Sequence, residues 1–230
     1  MRETLTKITA VLFDMDGVLI DSNEAIERAW REAVHMYGRT ISDTDMVKHI
    51  HGQPGRHTIA TLFGDLSITD QQKVQAHIIY VENTAIYKPI AGVAKFITAL
   101  HKAGVKVAIV TSSWLDKVNS VMNLLKVKEC ISVIIDRDSV TRGKPYPDPY
   151  LKAIKYLNIA AKQAMVFEDS ISGVKSAVAA GTYCVGVGHE SLMTLGAKFT
   201  IADFSLIEVI IQPNGCAIID FGNAHRILVG

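Results

Sequence analysis

Two carboxylates directly follow the first apolar run of the chain. Residues 10–13, AVLF, are continuously apolar, and Asp14 and Asp16 come immediately after them. Carboxylates this close together can act as a nucleophile, as a general acid or base, or as ligands of a hard cation. By themselves they could equally be turn residues at the end of a strand. The other groups that the fold brings beside them decide between these interpretations.

Further polar side chains follow later apolar runs. Thr111 and Ser112 follow the run VKVAIV, and Glu168 and Asp169 follow the run AMVF. Lys144 lies between these two runs, in the segment GKPYPDPY. Because the carboxyl ends of parallel strands form one edge of a sheet, we expect these groups to converge. Close carboxylates repel one another without a cation, and oxygen ligands of this kind suit Mg²⁺. The lysine and the hydroxyl are suited to hold phosphate oxygens.

Short apolar runs recur along the chain, and helical patterns lie between them. The runs are continuous and rich in Val and Ile, which is typical of parallel strands covered on both faces. They are ITAVLF (8–13), VKVAIV (105–110), ISVII (131–135), AMVF (164–167) and TYCVGV (182–187). The alternation predicts an α/β fold with a doubly wound parallel sheet.

One segment, residues 21–87, shows helical patterns only. The predicted helices are 22–38, 43–51, 55–63 and a long helix that starts at a capping box, TDQQ, from Thr69 to Gln72. We therefore predict a catalytic core of residues 1–20 and 88–230 and an inserted helical cap of residues 21–87. Because this helical insert leaves the chain beside the carboxyl end of the first strand, we expect it to cover the site as a lid.

The C-terminal segment IIQPNGCAIID predicts a small β ribbon. Asn214 and Gly215 stand between two apolar runs, which is a strong signal for a hairpin turn. We assign this ribbon no chemistry.

Composition excludes several classes of protein. The chain has 230 residues, 49% of them hydrophobic, and a formal net charge of +1, with no basic block of the kind that binds nucleic acid. No apolar run approaches the length of a membrane span. The three cysteines have neither metal-binding nor redox spacing, which fits buried thiols in a reducing compartment. We expect a cytoplasmic monomer without a nucleic-acid or membrane partner.

The segments DMDGVLIDS, VTSS, GKPYPDPYL and FEDS resemble the four motifs of the haloacid dehalogenase superfamily of phosphotransferases. Their order and spacing match across essentially the whole chain, and the helical insert resembles the type C1 cap of that superfamily. The likeness is greatest to the bacterial hexose-phosphate phosphatases and their β-phosphoglucomutase neighbours. The resemblance implies a phosphatase of small sugar or polyol phosphates.

The resemblance also implies roles for the acidic residues. Asp14 would be the nucleophile that forms an aspartyl-phosphate, and Asp16 would be the general acid and then the general base. Asp14, the backbone carbonyl of Asp16, and Asp169 would hold Mg²⁺, with Glu168 nearby or bound through water.

The remaining motif residues would bind the phosphate. The Thr111 hydroxyl and the Ser112 N–H would hold its oxygens, and Lys144 would neutralise the nucleophile and the transferred group. In the insert, Arg56 or His51 could contact sugar hydroxyls or a second phosphate, or could simply face solvent.

Three alternatives remain open. A sugar-phosphate mutase of the β-phosphoglucomutase branch carries a catalytic histidine five residues after the acid of its Asp-Ser pair, where this chain has Ile26, and this departure favours water as the acceptor. A receiver-type phospho-acceptor domain would be about half this length, with its aspartate on a middle strand and no helical insert. A dehalogenase on the same fold would need the nucleophile but neither Asp16 nor the late acidic pair.

Overall fold

A six-stranded parallel sheet forms the centre of the fold. The computed structural model describes residues 7–51, 53, 55–213, 216–222 and 225–230. In chain order the strands are β1 (Ala10–Phe13), β2 (Ile20–Asp21), β3 (Lys88–Pro89), β4 (Lys106–Val110), β5 (Val133–Ile135), β6 (Ala164–Glu168), β7 (Tyr183–Val187), β8 (Thr200–Ile201), β9 (Glu208–Ile211), β10 (Ala217–Asp220) and β11 (Arg226–Val229). The central sheet has the order β5-β4-β1-β6-β7-β8, and the predicted doubly wound α/β fold is confirmed.

The described residues form eight α-helices, and the last four of them cover the two faces of this sheet. The eight are α1 (Asn23–His35), α2 (Asp43–His49), α3 (Gly55–Leu62), α4 (Ile68–Thr84), α5 (Val93–Lys102), α6 (Leu115–Leu125), α7 (Asp148–Leu157) and α8 (Ile171–Ala179). Side chains of β1 alternate between two apolar clusters, with Phe13 on the face that α5 and α6 cover and Leu12 on the face that α7 and α8 cover. Phe13 stacks on Phe167 at 5.3 Å between ring centroids. Burial of such a ring stabilises a fold by roughly 1.5–3 kcal/mol, which holds neighbouring strands in register.

Helices α1 to α4 form the helical insert and share an apolar cluster of their own. Trp30 of α1, Ile78 of α4 and Phe63, which follows α3, belong to this cluster, which is separate from the two clusters of the sheet. The two connections to the sheet run side by side, because β2 pairs antiparallel with β3. The limits of the cap domain remain a prediction.

The predicted start of α4 at Thr69 was wrong. The helix begins at Ile68, and the Oγ of Ser67 accepts the backbone N–H of Asp70 at 3.1 Å. Ser67 therefore satisfies a free amide of the first turn, and Thr69 lies inside the helix instead of capping it.

The C-terminal ribbon is a three-stranded antiparallel sheet in the order β11-β10-β9. Ile211 of β9 pairs with Ala217 of β10, as a hairpin between these strands requires. Asn214 and Gly215, on which the turn was predicted, lie outside the described residues. Among the helices that the structure describes, none has the length and apolar character needed to cross a bilayer.

Candidate active site

The strand register brings the predicted site residues to one edge of the sheet. Phe13 of β1 aligns with Ile109 of β4 and with Phe167 of β6. The residues that follow these strand ends therefore lie side by side and open into one cavity of about 1280 Å³ between the sheet and the helical insert. The site residues that line this cavity are Asp14, Asp16, Thr111, Ser112, Lys144, Asp169 and Arg56.

Lys144 is buried among acceptors at this edge. Its Nζ donates to Asp14 Oδ1 at 2.6 Å, to Glu168 Oε1 at 2.5 Å and to the carbonyl of Val110 at 3.0 Å, and only 3% of the residue is exposed. Burial alone would lower the pKa of Lys144, but the two carboxylates outweigh it and hold the pKa above its usual value. Lys144 is therefore a fixed positive charge beside the proposed nucleophile.

Three carboxylates crowd around this single lysine. Ligand oxygens of Asp14, Glu168 and Asp169 all lie within 4.8 Å of one another. Burial raises the pKa of Asp14 to about 7, with Lys144 opposing the rise and Glu168 adding to it. Burial and the charge of Asp14 also raise the pKa of Asp169 well above its usual value. When all three are ionised, these carboxylates carry more negative charge than Lys144 balances, and their all-oxygen donor set fits a hard divalent cation.

The carboxylates of the cluster differ in the number of hydrogen bonds that they accept from protein groups. Glu168 is entirely buried; its Oε1 accepts from Lys144 and, at 2.5 Å, from the Tyr150 hydroxyl, and its Oε2 accepts from Ser170 Oγ at 3.3 Å. Asp14 and Asp169, by contrast, line the cavity. Their oxygens are therefore more accessible to a cation than those of Glu168, which contacts Lys144.

Gly17 gives Asp169 the room to approach. Its φ is +76°, and a Cβ built on it would lie 1.8 Å from Asp169 Oδ2. A side chain at this position would therefore displace the carboxylate, besides straining the backbone.

The carboxylate of Asp16 has its partners outside the acidic cluster. Its Oδ1 accepts from Lys117 Nζ at 2.6 Å and its Oδ2 accepts from Ser113 Oγ at 2.8 Å. Burial alone would raise the pKa of Asp16. The charge and hydrogen bond of Lys117, together with the hydrogen bond from Ser113, outweigh burial and hold the pKa below its usual value. The carboxylates of Asp14 and Asp16 thus have different partners although only Met15 separates them.

The two predicted phosphate-binding residues of the second motif lie where the prediction placed them. Thr111 is buried, and its Oγ1 accepts the backbone N–H of Ser113 at 3.0 Å, which leaves its own hydroxyl proton free to be donated. Ser112 lines the cavity beside it. Their roles as phosphate ligands remain predictions.

Arg56 lies at the rim of the cavity and already has a partner. Its guanidinium donates to Asp138 Oδ1 at 2.7 Å, between α3 of the insert and the loop after β5, and 75% of its side chain is exposed. Deeper in the insert, His51 Nε2 lies 3.1 Å from Glu27 Oε1, and both residues line the cavity. Contact of Arg56 or His51 with substrate remains a prediction.

Two residues of the site, Lys117 and Tyr150, were not predicted from the sequence. Lys117 lies four residues before Val121 on the buried face of α6, but that position alone does not distinguish it from a lysine whose ammonium group reaches solvent. Tyr150 lies on the buried face of α7, and no local pattern indicates that its hydroxyl reaches Glu168.

Comparisons with known proteins show to which family the chain belongs. The sequence model of the haloacid dehalogenase-like hydrolases matches residues 11–187, more than half of the chain. The chain is 28% identical to a protein named phosphorylated carbohydrates phosphatase from Thermotoga maritima, over 87% of this chain and 97% of that protein. It is 29% identical to hexitol phosphatase A of Escherichia coli, over 90% and 97% of the two chains. The crystal structure of CbbY from Rhodobacter sphaeroides in complex with phosphate has a TM-score of 0.74 and 25% identity, covering 86% of this chain and 95% of that one. The motif order, the strand-edge site and the family match lead to one conclusion: the chain belongs to the haloacid dehalogenase-like hydrolases.

Proposed function

We propose that this protein is a Mg²⁺-dependent phosphatase that hydrolyses small sugar or polyol phosphates through an aspartyl-phosphate on Asp14. The observation that carries the proposal is the contact of buried Lys144 with Asp14, within a cluster of three carboxylates that borders a large cavity. The names of the two relatives, a phosphatase of phosphorylated carbohydrates and a hexitol phosphatase, support the substrate class.

In the first step an Asp14 carboxylate oxygen attacks phosphorus and the bond to the sugar oxygen breaks. Lys144 lies against Asp14 and reduces the repulsion between an anionic nucleophile and an anionic substrate. The Thr111 hydroxyl and the Ser112 N–H bind non-bridging oxygens. The negative charge of the bound substrate favours the protonated form of Asp16, which gives its proton to the departing sugar oxygen.

In the second step water attacks the aspartyl-phosphate. Asp16, now a carboxylate, accepts a proton from that water, and Asp14 is regenerated as inorganic phosphate leaves. Asp14, Asp169 and the backbone carbonyl of Asp16 would hold Mg²⁺, with Glu168 as the neighbouring buried carboxylate. The cation, when bound, stabilises the negative charge that develops on the transferred group.

The helical insert acts in this proposal as the cap that selects the substrate. Ile26, Trp30 and His51 of the insert line the cavity opposite the catalytic edge. Apolar side chains beside a few polar groups are suited to a small phosphorylated polyol, which the cap encloses during the first step; water enters for the second.

A sugar-phosphate mutase is the second candidate. Ile26 cannot transfer a proton and lies in the cavity at the position where the mutase branch carries its histidine, which favours hydrolysis. The observation that favours a mutase is the His51–Glu27 pair, because a histidine oriented by a carboxylate could activate a sugar hydroxyl.

A panel of phosphomonoesters assayed with Mg²⁺ tests the proposal, with glucose 1-phosphate and glucose 6-phosphate followed by phosphorus NMR. We expect inorganic phosphate and free sugar as products, and near-complete loss of both in Asp14→Asn. Interconversion of the two glucose phosphates faster than phosphate release would establish the mutase instead. Phosphate release that survives Asp14→Asn would refute the aspartyl-phosphate route.

A further inference from the structure

A buried lysine joins the proposed general acid to the helical insert. Lys117 of α6 is only 1% exposed, and its Nζ donates to Asp16 Oδ1 at 2.6 Å and to Glu82 Oε2 at 2.7 Å. Asp16 belongs to the sheet edge, whereas Glu82 belongs to α4 of the insert. One ammonium group therefore contacts a catalytic carboxylate on one side and a cap carboxylate on the other.

The surroundings of Lys117 leave its ammonium group little freedom. Its Nζ lies 5.1 Å from the ring centroid of Tyr87 and 5.6 Å from that of Trp114, so aromatic rings enclose it. The Tyr87 hydroxyl donates to the carbonyl of Glu82 at 2.7 Å, which ties the same ring to α4. The position of the ammonium group thus depends on elements of both the core and the insert.

Asp16 is held at both of its oxygens in this arrangement. Lys117 occupies Oδ1, and Ser113 Oγ occupies Oδ2 at 2.8 Å. Each carboxylate oxygen has two acceptor sites, so each oxygen retains one for the proton of the reaction. The two hydrogen bonds therefore fix the plane of the Asp16 carboxylate, and each oxygen can still bind the proton that is transferred.

We propose that Lys117 is a positioning residue that orients Asp16 for proton transfer, and that Glu82 makes this orientation depend on the insert lying against the core. The inference rests on the proposed role of Asp16 as general acid and base. When α4 moves away from the sheet it removes Glu82, and Lys117 then loses one of the two carboxylates that fix it. Efficient protonation of the departing oxygen is thus coupled to closure of the cap over the substrate.

The dependence of turnover on the leaving group separates this role from a merely structural one. An alkyl oxygen needs protonation as it departs, whereas p-nitrophenolate departs with little help. Lys117→Met should therefore lower kcat/KM for glucose 6-phosphate by about 100-fold and for p-nitrophenyl phosphate by less than about 5-fold. Lys117→Arg keeps a charge at this position and should recover part of the loss.

A double-variant cycle shows whether Lys117 acts through Asp16. In the Asp16→Asn background, Lys117→Met should cost less than about 3-fold further on glucose 6-phosphate. An equal loss on both esters, or a loss that persists undiminished in Asp16→Asn, would mean that Lys117 is only structural and would overturn the inference.

The part played by the insert has its own test and a matched control. Glu82→Gln should shift the ratio of the two kcat/KM values in the same direction by about 10-fold. Asn83→Ala removes the neighbouring bond between α4 and the core, in which Trp114 Nε1 donates to Asn83 Oδ1 at 3.0 Å. Because it leaves both carboxylates that contact Lys117 in place, it should shift that ratio by less than about twofold. A ratio unchanged in Glu82→Gln would overturn the coupling to the cap.

A double variant keeps the inference testable if Lys117→Met does not fold. Lys117→Met leaves Glu82 buried without its partner, which is costly, whereas Lys117→Met with Glu82→Gln removes both charges together. If that double variant folds and keeps the wild-type ratio within about twofold, the inference fails. If Asp16→Asn lowers kcat/KM equally for the two esters, the proposed role of Asp16 fails. If Asp16→Asn lowers it more for glucose 6-phosphate but the Lys117 variants do not, only the inference about Lys117 fails.

Discussion

The charge of Asp14 should make the metal-free protein less stable as the pH rises, and Asp14→Asn should remove that effect. Burial raises the pKa of Asp14 to about 7 from the 3.8 of an unperturbed aspartate. Below pH 3.8 the carboxyl group is protonated in both the folded and the unfolded state. As the pH rises towards 7 the unfolded chain releases the proton first, so this group progressively favours unfolding.

The size of the effect follows from the size of the shift. A displacement of about three units, at about 1.4 kcal/mol each, corresponds to about 4 kcal/mol of stability lost between about pH 4 and about pH 7. The amide that Asp14→Asn introduces cannot ionise, but its oxygen can still accept from Lys144. At about pH 8 in chelator we expect Asp14→Asn to be more stable than the wild type by up to about 4 kcal/mol, and at about pH 4 to show no gain.

Thermal unfolding in chelator at several pH values measures this difference. For a chain of this size each kcal/mol shifts Tm by roughly 2–4 °C. Asp138→Asn serves as the control, because that carboxylate is 52% exposed, and it should show no gain that grows with pH. Added Mg²⁺ should stabilise the wild type more than Asp14→Asn, because the cation offsets the buried charge. If Asp14→Asn were no more stable than the wild type at about pH 8, the reasoning would be refuted.

Two further perturbations test the cation site. Exhaustive chelation should abolish phosphate release and Mg²⁺ should restore it, whereas Ca²⁺ should restore it poorly because its looser coordination misplaces the nucleophile; full activity in chelator would contradict this. Gly17→Ala would place a Cβ 1.8 Å from Asp169 Oδ2, so we expect a weaker apparent affinity for Mg²⁺, on the order of 10–100-fold, measured by metal titration of activity. Gly38→Ala is the matched control, because Gly38 also has a positive φ but nothing lies within 4 Å of its added Cβ. If the two substitutions weakened Mg²⁺ affinity equally, the contact between the added Cβ and Asp169 could not be the cause.

The arrangement of the sheet edge was accessible from the sequence because it follows from local patterns. A continuous apolar run predicts a strand covered on both faces, and the residue after it must lie at the carboxyl end of that strand. Once the alternation of strands and helices indicates a parallel sheet, Asp14, Thr111 and Asp169 are expected at one edge whatever the details of packing. The approximate helices of the insert followed in the same way from their periodicity of about 3.6 residues. The start of α4 did not, because Ser67 and Thr69 compete as caps and both fit the local pattern.

Other features of the site depend on contacts between residues far apart in the chain, which only the tertiary structure decides. Lys117 meets Asp16 across 101 positions and Glu82 across 35, and no pattern within α6 distinguishes it from a lysine that reaches solvent over an apolar face. Tyr150 reaches Glu168 because α7 packs directly on the sheet. By itself the sequence determined which residues end the strands, and with them the family and the proposed catalytic residues, since strand ends and motifs are local. The tertiary structure decided which charged groups those residues contact, through the packing of helices against the sheet and of the insert against the core. The periodicity of one helix or strand shows which of its faces is buried, but not which other element packs against that face.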